Sequence, residues 1–387
     1  MVAKINRVVF FILIFCGLFS CKRYASNYQL RKTQLTSVDS LVWLDSIFSD
    51  EKYILDTLLE GRFQRGAFNG NILCAYRGKI FYERSLGYCD IFTHDSLVCT
   101  NSFQLASVSK PFTSTAILQL CQEGKISLSD TMERFFPDFP YKGITVKMLL
   151  CHRSGLPDYI KFTDRYYRNG LPEHLNNDSV FALMKLLKPR MLARPNQKYD
   201  YSNTGYMVLA SIVEKVTGDK FGDYLNAHIF FPCKMKNSYL YDYKNKNLDS
   251  NSVKAFEDDA EVSDHYHNGV VGDKGVYSTV EDLLLFDLAL KQEKILSKQW
   301  QDSAYTKAVP EWGGNQNYGL GWRLRTGLNN ERIIYHTGWW KGFRGLFIRD
   351  LTRGITIVVF DNVRKNGFLT IDDLLWVFDK KKNAIFF

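Results

Sequence analysis

A serine and a lysine in this sequence are spaced so that they can share a proton. Ser107 and Lys110 stand three positions apart in Ser107-Val108-Ser109-Lys110, at the start of a predicted amphipathic helix over 107–122. Residues three apart lie on one helix face, so the hydroxyl and the ammonium are neighbours. A serine becomes a nucleophile when a base removes its proton, and a helix N-terminus favours developing negative charge. The pattern favours covalent catalysis by Ser107, and it also fits an ordinary helix start with a surface lysine.

A second polar group, Tyr201-Ser202-Asn203, stands just before another predicted helix, over 204–217. A phenol has a pKa near 10 and acts as a base only where cations stabilise the phenolate, a role that Lys110 could fill. The Asn203 side chain offers both a donor and an acceptor to an amide-like substrate. The alternative is a buried tyrosine followed by an asparagine that caps the helix.

A third group, His336-Thr337-Gly338, ends an apolar predicted strand. A glycine at this position lets a substrate lie against the strand edge. The side chains of His336 and Thr337 can hydrogen-bond a carboxylate or the reacting groups. The alternative is a polar turn at the end of a strand.

Together the three groups have the order S-x-x-K, Y-x-N, [KH]-T-G, which resembles the class C β-lactamase, D,D-peptidase and D-aminopeptidase group of the serine β-lactamase and penicillin-binding-protein superfamily. The resemblance covers roughly residues 50–362. It implies an acyl-enzyme on Ser107, with Lys110 and Tyr201 handling the proton and Tyr201 as the base for the deacylating water. It also implies that Asn203 orients the substrate, that the backbone N–H groups of Ser107 and Trp339 form the oxyanion hole, and that no metal or organic cofactor takes part.

Several further stretches carry the same resemblance. They are residues 103–106, 149–156, 199–206, 275–279 and 318–322. One departure matters, because the β-lactamases of this group have lysine where this chain has His336. A neutral imidazole holds a carboxylate less strongly than a fixed cation does, which argues against efficient penicillin hydrolysis. Members of the group with histidine at this position include esterases and peptidases.

The fold must bring these three distant groups together. Residues 71–83 predict a hairpin that turns at Arg77-Gly78, and residues 332–337, 345–349 and 355–360 predict an antiparallel meander. Residues 125–290 are predicted to be mostly helix and loop, and a last helix is predicted over 369–378. We therefore predict an α/β (α+β) fold of the β-lactamase/transpeptidase type. Its antiparallel sheet comes from both chain ends, helices flank it, and a mostly helical subdomain at about 125–290 is inserted beside a ligand cleft.

The N-terminus predicts export. Lys4 and Arg7 precede an apolar run over 8–19, too short for a transmembrane helix, and Cys21 follows Ser20 as in a bacterial lipobox. We expect a signal peptide over 1–20, lipidation at Cys21, a tether over 21–36 and the enzyme domain over 37–380. The protein would then be anchored by lipid in the cell envelope. The alternative is a plain signal peptide, and the sequence leaves open which membrane and face hold the protein.

Composition narrows the function further. The 387 residues are 45% hydrophobic and carry a formal charge of +9 that is spread without a long basic run, so we expect no nucleic-acid partner. The cysteines are irregularly spaced, and Cys74 and Cys121 lie in apolar segments typical of a core. No G-x-S-x-G, P-loop or H-E-x-x-H motif is present, and Asp264-His265-Tyr266-His267 fits a polar loop better than a metal site. The oligomeric state stays open.

We therefore expect a serine hydrolase for peptide, ester or lactam acyl donors, including peptidoglycan-type D-amino-acid peptides. Two other hypotheses remain at this point. One is a non-catalytic scaffold or binding protein of the same fold, against which the complete set of polar groups argues. The other is a membrane-surface protein that uses the lipid anchor and the net positive charge.

Overall fold

A computed structural model describes residues 44–244, 251–257, 260–262, 264–364 and 368–379. The predicted signal peptide, the lipidation site Cys21 and the tether lie outside the described residues. The chain divides into two units, residues 1–53 and 54–387. In the first unit, the described residues 44–53 are helical apart from Phe48. Everything below concerns the second unit, which contains all three polar groups. The predicted domain boundaries stay predictions.

The strands of the described residues are, in chain order, β1 Gly70–Tyr76, β2 Lys79–Leu86, β3 Tyr88–Asp90, β4 Asp95–Ser96, β5 Phe103–Gln104, β6 Tyr239–Leu240, β7 Phe256–Glu257, β8 Ala260–Glu261, β9 Val276–Ser278, β10 Gln316–Tyr318, β11 Arg323–Thr326, β12 Arg332–Trp340, β13 Phe343–Asp350, β14 Ile355–Asp361 and β15 Val363–Arg364.

The α-helices are α1 Ser49–Gln64, α2 Lys110–Gln122, α3 Met132–Phe135, α4 Val146–Leu150, α5 Tyr159–Tyr166, α6 Asn177–Leu187, α7 Asn203–Thr217, α8 Phe221–Leu225, α9 Phe231–Cys233, α10 Val280–Lys291, α11 Lys298–Ala304 and α12 Ile371–Phe378. Two 3₁₀ turns, Ala106–Ser109 and Tyr266–Gly269, and a π-helical turn, Asn226–Phe230, complete them. No helix in the described ranges has the length and apolar character that crossing a membrane requires.

The main sheet joins strands from both parts of the chain. Its seven strands are ordered β10-β11-β12-β13-β14-β1-β2, and every neighbouring pair is antiparallel. The early strand β1 lies between β2 and the late strand β14, with Gly70 opposite Asp361. This arrangement confirms the predicted fold class and the predicted hairpin, meander and C-terminal helix. The helical insert also contains short strands, β6 to β9, that the sequence did not predict.

Helix α2 is buried on every face, which corrects the amphipathic helix expected from its apolar residues. All residues from Lys110 to Cys121 are buried, and the five polar ones include Thr113, Ser114 and Gln119. Their side chains hydrogen-bond loop carbonyls around the helix: Thr113 to Gly272 O at 2.6 Å, Ser114 to Leu320 O at 2.7 Å and Gln119 to Ile295 O at 2.9 Å. Because buried polar groups need such partners, these hydrogen bonds hold the surrounding loops against α2.

Helix α7 begins at Asn203 because the preceding serine caps it. The Ser202 Oγ accepts the N–H of Gly205 at 3.0 Å, and Gly218 closes the helix in a left-handed conformation at φ +83°. Asn203 is therefore the first helical residue and not the cap, which leaves its amide available for the interior. Helix α10 begins in the same way, since the Thr279 side chain accepts the N–H of Asp282.

Strand β12 has an edge that is open over its second half. Its partner β11 pairs only as far as Tyr335, which lies opposite Arg323. Within the described ranges, residues 336–340 are paired with β13 alone. An edge of this kind presents free backbone groups to an extended ligand.

Candidate active site

Ser107 lies in a strained turn that points it out of the core. The turn Ala106–Ser109 is 3₁₀, and the α-helix begins only at Lys110, three residues later than predicted, with Pro111 in its first turn. Ala106 has φ +49°, a left-handed conformation that costs energy for an alanine. From Asn101 to Cys121 every residue is buried except Ser107. The turn therefore presents a single hydroxyl at the surface of a buried segment.

Lys110 is fully buried directly beneath that hydroxyl. Its Nζ donates to Ser107 Oγ at 3.0 Å, to Asn203 Oδ1 at 2.8 Å and to the backbone carbonyl of Asp273 at 2.9 Å. The pKa of Lys110 is lowered to about 7, chiefly by burial; the Asp273 charge raises it and the nearby Arg323 cation lowers it. Near neutral pH Lys110 can therefore lose a proton. The neutral amine keeps two N–H groups for Asn203 and Asp273, and its lone pair can accept the proton of Ser107.

Tyr201 lies beside Ser107 and Lys110, but its pKa is shifted upwards, whereas that of Lys110 is shifted downwards. The Lys110 Nζ is 4.9 Å from the centre of its ring, and the Arg323 guanidinium carbon is 5.7 Å from it. Burial nevertheless raises the pKa of Tyr201 to about 12, even though a hydrogen bond with Ser107 and the Arg323 charge lower it. The phenol is therefore protonated at neutral pH. Desolvation outweighs the effect of the cations on this pKa, and the expected role of Tyr201 as the base for the deacylating water stays a prediction.

His152 supports the loop that carries Tyr201. Its Nδ1 accepts the N–H of Ser202 at 3.0 Å, its backbone carbonyl accepts the N–H of Asp200 at 2.8 Å, and its ring centre is 4.3 Å from that of Tyr201. Burial lowers the pKa of His152 well below its usual range, so the ring is neutral. The backbone of His152 is itself left-handed, at φ +58°. The histidine therefore fixes the tyrosine loop from below.

Gly338 brings the open edge of β12 against the nucleophile turn. A Cβ added to Gly338 would lie 2.3 Å from Leu105 O and 3.2 Å from the backbone nitrogen of Ser107. Only glycine permits this approach. The strand residue that follows, Trp339, has a side chain that is 51% exposed at the mouth of the site. The backbone groups of Ser107 and Trp339, predicted to form an oxyanion hole, thus belong to two segments in direct contact.

His336 is already engaged on both ring nitrogens. Its Nε2 is 3.1 Å from the Tyr318 hydroxyl, and its Nδ1 is 2.8 Å from the carbonyl oxygen of Thr337. The side chain is fully buried, and burial together with the Arg323 and Lys110 charges lowers its pKa well below the usual range. The expectation that His336 and Thr337 hydrogen-bond a carboxylate or the reacting groups stays a prediction. The Thr337 hydroxyl has no hydrogen-bond partner within the described part of the chain.

Arg323 is a site residue that the sequence analysis did not identify. It begins β11 beside the open edge, and the phenols of Tyr199, Tyr201, Tyr318 and Tyr335 all act on its charge. In the described ranges it has no carboxylate partner, and its Nε is buried without a hydrogen bond. Its position directly after the resemblance at 318–322 is the one signal that could have found it.

The structure therefore brings Ser107, Lys110, Tyr201 and Asn203 into one cluster and sets Gly338 against it. The catalytic roles given to these residues in the sequence analysis stay predictions. The described residues contain no group of histidines, cysteines or carboxylates that could hold a metal ion. All six described cysteines are free, and Cys74 and Cys121 are buried as predicted.

Comparisons with known proteins identify the family and the fold of the chain. The sequence profile of the family described as Beta-lactamase matches residues 55–378. Penicillin-binding protein 4* of Bacillus subtilis (strain 168) is 33% identical over 327 residues, which are 80% of this chain and 71% of that protein.

Two solved structures share the fold. The penicillin-binding protein of Bacillus halodurans has a TM-score of 0.72 at 23% identity, covering 85% of this chain and 99% of that one. The D-amino acid amidase of Ochrobactrum anthropi SV3, complexed with D-phenylalanine, has a TM-score of 0.71 at 21% identity, covering 86% of this chain and all of that one.

Proposed function

The chain belongs to the Beta-lactamase family, and from this premise we propose that it is a serine hydrolase that forms an acyl-enzyme on Ser107. The observation that carries the proposal is the buried Lys110, whose Nζ lies 3.0 Å from Ser107 Oγ with its pKa lowered to about 7. A scaffold protein needs no neutral lysine beneath a lone exposed hydroxyl. A general base near the operating pH is what acyl transfer requires.

Acylation starts with neutral Lys110. Its Nζ accepts the Ser107 proton while Ser107 Oγ attacks the carbonyl carbon, and the negative charge develops on the carbonyl oxygen. The backbone N–H groups of Ser107 and Trp339 stabilise that oxyanion, because Gly338 lets the strand approach the turn. Asn203, held by Lys110, keeps the acyl donor's amide in line.

Collapse of the tetrahedral intermediate breaks the bond to the leaving group. Tyr201 is protonated, hydrogen-bonded with Ser107 and close to Lys110, so it donates a proton to the departing nitrogen or oxygen and recovers one from Lys110. For deacylation the same relay runs in reverse and activates a water molecule. Both residues therefore act as one proton-handling unit rather than as a fixed acid and a fixed base.

We propose that the leaving group carries a free carboxylate. Arg323 is the cation without a carboxylate partner in the described site, and the free hydroxyl of Thr337 lies on the adjacent strand. Arginine binds a carboxylate with two parallel hydrogen bonds. A peptide ending in a D-amino acid has such a group, and the names of the penicillin-binding and D-amino acid amidase relatives support this substrate class. Esters and lactams with a similarly placed carboxylate are further donors.

We further propose that the protein acts in the cell envelope, anchored through Cys21. The support is the order of Lys4, Arg7, the apolar run and Cys21 in the sequence. Replacing Cys21 by alanine should release the protein from the membrane fraction of an expressing bacterium. A C21A variant that stays in the membrane fraction as firmly as the wild type would contradict the anchor.

The catalytic proposal is tested by intact mass. The protein is incubated with benzylpenicillin and separately with p-nitrophenyl acetate, beside Ser107→Ala and the exposed control Ser303→Ala. We expect a covalent adduct or ester turnover in the wild type and in the control, and neither in S107A. A wild type that shows no adduct and no turnover, or an S107A variant that retains them, would support the scaffold hypothesis instead.

The substrate class is tested with a matched pair of peptides. One peptide ends in a free D-alanine carboxylate, and the other ends in the corresponding primary amide. Arg323→Met should raise KM for the acid about 10- to 100-fold, the value of one hydrogen-bonded charge, and leave KM for the amide unchanged. Equal effects on both peptides would mean that Arg323 does not recognise the carboxylate.

A further inference from the structure

A second buried lysine lies next to the proposed catalytic lysine, and the mechanism above does not use it. Lys274 is 2% exposed, and its Nζ donates to the Tyr159 hydroxyl, to Val270 O at 3.3 Å and to Asp273 Oδ1 at 3.4 Å. The Tyr159 hydroxyl in turn donates to Asp273 Oδ2 at 3.1 Å. We call Tyr159, Asp273 and Lys274 the buried triad. A lysine with this little exposure requires a partner, and Asp273 is that partner.

The buried triad reaches the active site through one carbonyl group. The backbone oxygen of Asp273 accepts the hydrogen bond from Lys110, while its carboxylate is held by the other two members. The loop has little freedom to move, since a Cβ at the neighbouring Gly272 would lie 2.3 Å from Tyr206 O. The N–H of Tyr159 is also fixed, by Thr204 Oγ1 at 2.9 Å. The position of the Asp273 carbonyl thus depends on the packing of Gly272 and on the fixed position of Tyr159.

The charge of Asp273 also acts on Lys110. A carboxylate this close stabilises the ammonium form of Lys110, which opposes the neutral form that acyl transfer needs. A cation paired with that carboxylate cancels much of its field. Lys274 is such a cation, and Lys110 and Lys274 interact directly as like charges.

We propose that the buried triad is a positioning and charge-balancing device: Lys274 neutralises Asp273, so that the Asp273 carbonyl holds Lys110 while its carboxylate does not keep Lys110 protonated. The inference rests on the proposed function of Lys110 and deepens it. Lys274 is a positioning residue, because its hydrogen bonds go to Tyr159, Val270 and Asp273 and none goes to Ser107.

The other groups around the two lysines do not change charge in the range of the test. Besides the triad, Lys110 is faced by His152, Tyr201, Tyr206, Arg323 and His336. The pKa values of both tyrosines are raised by burial and those of both histidines are lowered by it, while Arg323 stays charged.

Lys274 is faced on its outer side by two more histidines and by Trp340. Burial lowers the pKa of His265 to about 4 and that of His267 to about 2, and the Lys341 charge acts in the same direction. The Lys274 Nζ also lies 4.8 Å from the centre of a Trp340 ring. A titration between pH 5 and 9 therefore reports on Lys110 and the triad.

Two single variants move the pKa of Lys110 in opposite directions. Lys274→Met leaves the Asp273 charge uncancelled, so the pKa of Lys110 should rise. Asp273→Asn removes the charge that stabilises the ammonium, so it should fall. Each shift should be at least about one pH unit, since at an effective dielectric constant of about 20 a single charge shifts a pKa by about one unit even from about 12 Å away. The double variant is again charge-balanced and should return close to the wild-type value.

The measurement is a ¹³C NMR titration of the Lys110 Cε in the full chain labelled with ¹³C-lysine, assigned with Lys110→Arg. Lys298→Met, the same substitution at a 62% exposed side chain, is the control and should not shift the titration. The acid limb of kcat/KM for p-nitrophenyl acetate should move with the NMR value.

Failure of the charge-balance idea is separate from failure of the proposed function. Folded variants in which the Lys110 titration does not move, or moves in the same direction in both singles, would overturn it. If one single variant does not fold, the other still tests the predicted direction of its own shift in the pKa of Lys110. An absence of acyl transfer in the wild type would refute the proposed function alone, because the NMR titration needs no substrate.

Discussion

Replacing Gly338 by alanine tests the geometry of the proposed oxyanion hole. The new Cβ would lie 2.3 Å from Leu105 O, where ordinary contacts begin at 3.4 Å, so strand and turn must separate by about 1 Å. A displacement of this size between reacting groups costs about 10²-fold in rate. Loss of one oxyanion donor costs about 10²- to 10³-fold. We therefore expect the rate of Ser107 acylation in G338A to fall at least about 100-fold, which corresponds to about 2.7 kcal/mol.

The assay is the second-order rate constant for acylation by benzylpenicillin or p-nitrophenyl acetate, followed by mass and by product release. Gly345→Ala is the matched control, because Gly345 lies directly opposite Gly338 on β13. Its added Cβ would meet the Phe360 side chain at 3.3 Å, which can move, rather than a fixed carbonyl. We expect G345A to keep its acylation rate within about threefold, since no reacting group is displaced. A folded G338A protein that acylates at the wild-type rate would refute the close approach as the basis of oxyanion stabilisation.

Three further predictions follow from the buried charges and from the cap of α7. The acid limb of kcat/KM should lie at about pH 7, because activity needs neutral Lys110 and is lost as pH falls through its pKa. Lys110→Arg, in which the side chain never becomes neutral, should lower kcat by about 10²- to 10⁴-fold. An acid limb near pH 4 would point to a carboxylate base instead. Arg349→Met should destabilise the fold by about 3 kcal/mol, because Asp287 loses a fully buried partner at 2.7 Å, and should lower Tm by about 4 °C. The exposed control Lys298→Met should change stability by less than about 1 kcal/mol. Ser202→Ala should cost about 1 kcal/mol in urea unfolding through loss of the α7 cap and reduce acylation by displacing Asn203, and an unchanged unfolding midpoint would show that the cap contributes nothing.

Local patterns in the sequence predicted much of the fold. The hairpin of β1 and β2 follows from two apolar runs separated by Arg77-Gly78, and the ends of α7 follow from Gly218 and the polar residues before the helix. Two of the polar groups, those of Ser107 and Tyr201, were placed correctly before a helix, because their motifs combine a chemical group with the turn or cap that carries it. The third was predicted to end a strand, and this was wrong, because β12 continues past Gly338 to Trp340. Each of these signals lies within a few residues, where backbone preference and hydrogen bonding are decided together.

Contacts between distant segments were not predictable in the same way. The amphipathic face assigned to α2 was wrong because the polar side of that helix, Thr113 and Gln119, is covered by loops from over a hundred residues away. No pattern in the sequence predicts the hydrogen bond between His336 and Tyr318. Asp273 and Lys274 lie in a stretch without periodicity, and their function depends on Tyr159 from another such stretch.

The pairing of β1 with β14 determines when the main sheet can be completed during synthesis of the chain. Gly70 pairs with Asp361, so one edge of β1 has no partner until almost the entire chain has left the ribosome. At synthesis rates of about 5–20 residues per second, that interval is about 15–60 s. Throughout it, an apolar strand with unpaired backbone groups can pair with other nascent chains. Production of this protein should therefore gain more from slower initiation, which spaces the nascent chains apart, than from any stabilising substitution in the finished fold.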